Sequence, residues 1–323
     1  MTRPRVIGTR PTGHRVLVVG DIVTDILAVY SGSVAVGSDT AADISLTGGG
    51  SAANTAAWLA SVGSPVDLVG VVGTDAAGDD RLAELEASGV RCTWVRRSAD
   101  TPTGSVIVLA HAAERSMLCD RGANLLLVPS DVDTALTGAA DAAHLHLSGY
   151  TLLDDSSRAA GRRALVAAAE RGLSTSVDAA STAPLRRIGG PVFLDWVRGT
   201  DILFANLDEA RTLLDDDRWE PTSLALALAR VARHAAVKLG QDGAVWAGED
   251  GTVAVAPARP ASVVDPTGAG DAFAAGVLVA WLAGEDAETA LHSGARLGAR
   301  AVSVVGGRPP RIEQPIRPVR QVR

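Results

Sequence analysis

Apolar positions along this chain fall into two rhythms. Short continuous runs at residues 15–20 (RVLVVG), 66–72, 143–149 (AHLHLSG), 173–178, 201–205 and 235–239 (AAVKL) have the length and content of strands buried on both faces. Between them, residues 79–88, 158–171 and 287–304 carry the 3.6-residue period of amphipathic helices, the first stopped by Gly89. This alternation predicts an α/β fold with a mostly parallel central sheet flanked by helices. Two stretches break the rhythm. Residues 26–46 alternate weakly, and residues 104–119 (GSVIVLAHAAERSMLC) read as a hairpin turning near Ala112 to Glu114, so both predict extended strands leaving the main sheet. GTDAAG at 73–78 reads as a structural turn, 178–185 (DAASTAPL) as a loop, 215–217 as a solvated loop, and GQDGAVWA at 240–247 as a turn into a further hairpin.

Composition narrows the picture. With 323 residues, 47% hydrophobic and only 3% aromatic, the chain can bury a full core, built from Ala, Val and Leu. The formal charge is -7 and no basic run interrupts the interior, which argues against a nucleic-acid partner. The basic residues of 308–323 (RPPRIEQPIRPVRQVR) are interleaved with proline and read as a solvated tail. Cys92 and Cys119, the two cysteines, have no zinc spacing and fit a reducing compartment. The first residues lack an apolar h-region, and the longest apolar run, 274–283, is too short to span a bilayer. The expectation is a cytoplasmic protein without membrane or nucleic-acid partners. Residues 14–310 are expected to form one unit with inserted segments at about 26–47 and 100–121, and tails at 1–13 and 311–323.

Candidate chemistry gathers at two glycine-led loops. In 264–282 (VDPTGAGDAFAAGVLVAWL), a turn-prone Asp265-Pro266 runs through Gly268-Ala269-Gly270 into an unbroken apolar helix. The positive helix N-terminus and its unpaired amides suit a phosphate, and small residues allow close approach. Asp271 stands where such a site tolerates a carboxylate poorly unless it has a task. It reads either as a base for an attacking hydroxyl or as the helix cap. The stretch 47–66 (TGGGSAANTAAWLASVGSPV) has the same design, a glycine run, Asn54, then an Ala-rich helix. Asp21 and Asp25 follow the first strand at its carboxyl end, where open α/β sheets bind ligands. Asp25 can accept several hydroxyl hydrogen bonds or serve as strand-end solvation. Asn206 and Glu209, three apart, share a helix face as a capping box or a ligand pair. His144 and His146 share a strand face without a third metal ligand and read as strand residues.

GGSAAN at 49–54 and DPTGAGD at 265–271 resemble the two signatures of the ribokinase-like (PfkB) carbohydrate and nucleoside kinases. The resemblance covers residues 14–310. It implies a three-layer ribokinase-like α/β fold with a small β-sheet lid made by the two inserted segments. It also implies transfer of the γ-phosphoryl group of ATP to a hydroxyl, a primary CH2OH, of a sugar or sugar-like molecule. The cofactors implied are ATP and Mg2+, with a monovalent cation such as K+ as a further candidate. Asp271 matches the general base, and the amides of Gly268, Ala269 and Gly270 match the anion hole. Asp25, Gly49, Gly50 and Asn54 match the acceptor-binding positions. Thr267, Gly240 and Lys238 fall on the ATP side, where Lys238 either touches a phosphate or snorkels to the surface. Asn206 and Glu209 match the NxxE motif that arranges Mg2+, Glu209 acting through water. GTDAAG resembles the family's structural GxDxxG turn, and a homodimer through the lid is the partner the family suggests.

The chain departs from ribokinases at Val23 and Ser51, where those enzymes carry Asn and Lys, and the 178–185 run lacks their DxNxR pattern. Fructose and other ketoses, 2-keto-3-deoxygluconate, adenosine and pseudouridine all stay open as acceptors, as does a non-catalytic sugar sensor. A dinucleotide oxidoreductase is disfavoured because GGGSAAN does not give GxGxxG.

Overall fold

The computed structural model describes residues 13–111 and 114–310. The segments 1–12 and 311–323, expected as tails, and residues 112–113 of the expected hairpin turn lie outside them. In chain order the strands are β1 (Arg15–Val19), β2 (Val23–Tyr30), β3 (Ala42–Gly49), β4 (Val66–Gly73), β5 (Arg91–Ser98), β6 (Gly104–His111) and β7 (Glu114–Asp120). They continue as β8 (Ala142–Ser148), β9 (Ser174–Asp178), β10 (Ile202–Asn206), β11 (His234–Lys238), β12 (Ala244–Gly248) and β13 (Val253–Ala256). A nine-stranded sheet has the order β13-β12-β11-β10-β9-β8-β1-β4-β5, and a four-stranded sheet has the order β3-β2-β6-β7. In the large sheet β11/β12 and β12/β13 pair antiparallel and every other neighbour pair is parallel. Strand order reverses at β1, which has β4 on one side and β8 on the other. The carboxyl ends of β1 and β8 therefore frame the crevice where such sheets bind ligands.

Period-two alternation divides the core between the two faces of the sheet. Val16 and Val18 pack into one cluster, and Leu17 and Val19 into the other. Small residues bring the helices close, as the scarcity of aromatics requires. At Gly276 of helix Ala269–Leu282 a methyl group would stand 2.5 Å from the Ser293 carbonyl of helix Ala287–Ala301, so only glycine permits that crossing. His144 and His146 are wholly buried, bonded to Ser174 and Ser176 at 2.8 Å. Burial pushes their imidazoles down to about 3 and about 4, so they are neutral core groups. Among the described residues no helix is long and apolar enough to cross a membrane.

The sequence patterns misplaced several boundaries. Helix Ala76–Ala87 begins three residues earlier than its periodicity suggests, because the Asp75 side chain accepts the Gly78 amide at 2.9 Å and caps it. The 178–185 run is not loop throughout, since helix Thr182–Ile188 starts within it. The last helix ends at Ala301 rather than at 304. The run from Arg308 is not wholly solvated tail either. Arg308 is largely enclosed, its side chain 11% exposed, donating to the Gly49 carbonyl at 3.1 Å and pairing with Glu84 at 3.2 Å.

Gly276→Ala is expected to lower unfolding free energy by about 1–3 kcal/mol, the usual cost of overpacking, read as a reduced urea midpoint at unchanged slope.

Candidate active site

The N-terminus of helix Ser51–Ser61 and that of helix Ala269–Leu282 meet at one carboxylate. Asp271 accepts the Ser51 hydroxyl at 2.8 Å on Oδ1 and the Asn54 amide at 2.9 Å on Oδ2. It is therefore not the cap of its own helix. The cap position is Gly268, with φ 73° and no side-chain bond to the helix, so the positive end stays open to an anion. At Gly50, which opens the other helix with φ 96°, a methyl group would run into the Asp21 carbonyl. Asp21 itself caps that helix, taking the Ser51 amide at 2.9 Å and the Ser148 hydroxyl at 2.7 Å. Burial drives the Asp271 carboxyl up to about 8. Asp178 adds to the rise, while the bonds from Asn54 and Ser51 and the charge of Lys238 oppose it. The result is a carboxylate basic enough to take a proton and held in a fixed direction.

Three neighbouring parallel strands end beside that helix. β9 delivers Asp178, β10 Asn206 and β11 Lys238, with Asn206 and Lys238 directly in register. Lys238 does not snorkel. Its Nζ lies 2.6 Å from Asp178 Oδ2, and a methyl on Gly270 would come within 3.1 Å of it. Burial disfavours its charge, but Asp178 and Glu209 outweigh burial and hold the ammonium above its usual range. Asn206 and Glu209 do form the capping box. The Glu209 amide donates to Asn206 Oδ1, and the Asn206 amide to Glu209 Oε2, both at 2.8 Å. Burial raises the Glu209 carboxyl, against the pull of Lys238. Gly240, with φ 62°, opens the turn after β11 and has open space around it. Thr267 donates its amide to Asp265 Oδ1 at 2.8 Å.

On the opposite side Asp25 lies at the base of β2, buried, with its carboxylate against Gly49 so closely that any side chain there would overlap it. Burial lifts Asp25 to about 6, a rise that nearby Asp21 reinforces and Arg308 opposes. Asn54 Oδ1 is buried without a hydrogen-bond partner, an acceptor left unsatisfied beside Asp271.

A model of the pfkB family carbohydrate kinases matches residues 14–314. The chain belongs to this family. A curated relative from Halopiger xanaduensis, an ATP-dependent ribose-1-phosphate kinase, is 34% identical across 81% of this chain and 82% of its own length. A 2-dehydro-3-deoxygluconokinase from Thermoproteus tenax is 30% identical across 80% of both chains. A probable sugar kinase from Rhizobium etli CFN 42 has a solved structure that superposes with TM-score 0.81 at 27% identity, covering 92% of this chain and 95% of that one. This PfkB chain is thus a phosphotransferase with an alcohol acceptor on a ribokinase-like fold.

Of the residues picked from sequence, the structure brings Asn54 to Asp271, Asp25 to Gly49, and Lys238 to Gly270. Gly240 stands apart from these contacts. Sequence reasoning did not pick Ser51, Asp178 or Arg308, which the structure places against Asp271, Lys238 and Gly49. Asp178 carried a usable signal, a carboxylate at the carboxyl end of a buried strand. Ser51 carried one too, as the polar first residue of the glycine-led helix.

With Asp271 as the proposed base, which acts only when ionised, kcat/KM is expected to rise with pH through an apparent pKa near 8. Asn54→Ala removes a bond that favours the carboxylate, so the limb should move upward. A pH–rate profile between pH 6 and 9.5 on both forms measures this.

Proposed function

We propose that this PfkB kinase transfers the γ-phosphoryl group of ATP to a primary hydroxyl of a sugar or sugar-like alcohol, with Asp271 as general base. The observation that carries the reading is the Asp271 carboxylate. It is raised in basicity and held by Ser51 and Asn54 at the mouth of an uncapped helix N-terminus. The relatives named above support a sugar-type acceptor, and the name of the first supports ATP.

Asp25, Asn54 and the amides and carbonyls around Gly49 and Gly50 hold the acceptor hydroxyls. Asp271 takes the proton from the attacking hydroxyl. The amides of Gly268, Ala269 and Gly270 face the charge that develops, and Lys238, already beside Gly270, adds a positive charge. Bound ATP supplies the phosphoryl group, and Mg2+ neutralises its oxygens. Asp178, Asn206 and Glu209 fit such a metal. Among the described residues no three-carboxylate or histidine cluster competes with them, and Mg2+ is content with one or two protein carboxylates and several waters. Thr267 and Gly240 flank the nucleotide side. A monovalent cation such as K+ has less support, the family resemblance alone.

The four-stranded sheet acts as the lid over the acceptor, excluding water that would otherwise compete for the phosphoryl group. The face of that sheet turned from the cleft carries a row of register partners, Leu46, Ile26, Ile107 and Leu118. Ile44, Leu46 and Leu118 are 65%, 66% and 59% exposed. A second copy of the chain is the fitting occupant of this self-complementary surface. Free Cys92 and Cys119 suit a reducing cytoplasm.

An ATP-consumption assay with Mg2+ over pentoses, hexoses, sugar acids, sugar phosphates and nucleosides is expected to reveal one strong acceptor. Asp271→Ala should lower its turnover about 10²–10⁴-fold. Undiminished turnover in that variant would remove Asp271 from its role. Leu46→Glu should convert a dimer to a monomer by light scattering, and a wild-type monomer would dispose of the pairing.

A further inference from the structure

Arg121 has no part in the chemistry described so far, yet it stands in the acceptor half of the cleft. Asp25, Val106 and Cys119 are register partners across β2, β6 and β7 and so share one face of the lid sheet. Val23 and Gly104 follow two residues along on that face. Arg121 is the first residue beyond the end of β7, its carbonyl against Gly104. The lid thus sets Arg121 on the same face as Asp25, above the crevice between β1 and β8.

Three contacts fix the guanidinium there. Its central carbon lies over the Tyr150 ring, 4.5 Å from the centroid. Its Nε donates to Asp154 Oδ2 at 3.2 Å. Its Nη1 is 3.7 Å from Asp21 Oδ2, beyond hydrogen-bond reach. Asp21 does not need that charge, being satisfied by the Ser51 amide, the Ala52 amide at 3.4 Å and the Ser148 hydroxyl. Among the described residues the Asp154 bond is the one hydrogen bond the guanidinium makes, although such a group has five N–H donors. The side chain is 17% exposed, and its remaining N–H groups are not among the buried polar atoms without a partner, so they are open to a ligand from the solvent side. The connection to the reacting groups is short: Asp21 holds the Ser51 amide, and the Ser51 hydroxyl holds Asp271.

A planar cation, stacked and preoriented with its outer donors uncommitted, matches the oxygens of a phosphate monoester or a carboxylate. On the reading of the cleft as a sugar kinase's acceptor site, we propose that Arg121 is a specificity-determining residue that binds an anionic substituent of the acceptor. The substrate is then a sugar already bearing a phosphate or carboxylate at the end remote from the hydroxyl that attacks. Asp21 and Asp154 flank the guanidinium and Arg308 carries a second positive charge near Asp25, so Arg121 is the cation whose donors are open on this face.

The test is calorimetric binding of ribose 1-phosphate, 2-keto-3-deoxygluconate and neutral ribose to the full-length protein, as wild type, Arg121→Gln and Arg121→Lys. At least one anionic sugar should bind wild type more tightly than ribose, and the phosphate and carboxylate arms tell which anion. Arg121→Gln should reduce that anionic-to-neutral affinity ratio about 10- to 100-fold, the worth of one charge-assisted contact. Arg121→Lys should restore part of it, and added salt should weaken only the anionic arm. A ratio unchanged in Arg121→Gln, or wild type that prefers ribose, overturns the proposal. Since binding is read without turnover, an anionic sugar that binds through Arg121 but is not phosphorylated would sink the kinase reading and leave this one standing.

Discussion

The hydrogen bonds from Ser51 and Asn54 to Asp271 join residues more than two hundred positions apart, and the cleft depends on them. They bring two helix N-termini to one point, where each would otherwise repel the other's positive end. The buried carboxylate between them supplies the opposing charge. Burial makes that charge costly, and the cost is visible as a carboxyl lifted to about 8. On the proposed reading the same cost serves chemistry, because a carboxylate this basic competes for a hydroxyl proton where an exposed aspartate would not. Stability and function therefore press on one group from opposite directions, and the two donors hold the balance.

A short segment after the last helix keeps the two glycine-led loops in register. The Gly306 amide donates to Asp265 Oδ2 at 2.9 Å, and the Trp58 indole donates to the Gly307 carbonyl at 2.9 Å. Gly307 lies between Gly268 and Asn54 so closely that a side chain at Gly268 would overlap its backbone. Arg308 then reaches Gly49 and Glu84, while Arg81 spans from Glu84, at 2.7 Å, to Thr24 at 3.0 Å. Burial brings the Arg308 guanidinium down to about 10, still far above neutrality, so its charge persists beside Asp25. The anion loop and the acceptor loop are thus fastened through a third strip of chain rather than only through each other.

Much of the fold was legible because its signals are local. Buried parallel strands declare themselves as continuous apolar runs, and the two glycine loops by small residues ahead of an apolar helix. Asp271 and Asn54 could be picked because loop and helix are adjacent in sequence. What escaped was whatever depends on a distant partner. Arg308 sits among prolines and looks like tail, and nothing near it in sequence foretells Glu84 or the Gly49 carbonyl. Lys238 could not be settled between phosphate ligand and surface cation, because Asp178, which buries and pairs it, lies sixty residues away. Asn206 and Glu209 were read as alternatives, cap or ligand, yet the capping box is formed and leaves Glu209 beside Lys238 and Asp178, so the two readings do not exclude each other.

The position of Asp25 follows from the same logic of fastened ends. β2 pairs with β3 and with β6 along its length, and at its base Val23 faces Gly49 and Gly104. That base is clamped, since Gly49 takes the Arg308 bond and Thr24 the Arg81 bond. The far end, from Val29 to Tyr30, pairs with Ala42 and Asp43 of β3 within the small sheet. Asp25 and Arg121 both lie at the clamped end. On the proposed reading, the groups that grip the acceptor are therefore held by the same bonds that fasten the two glycine-led loops.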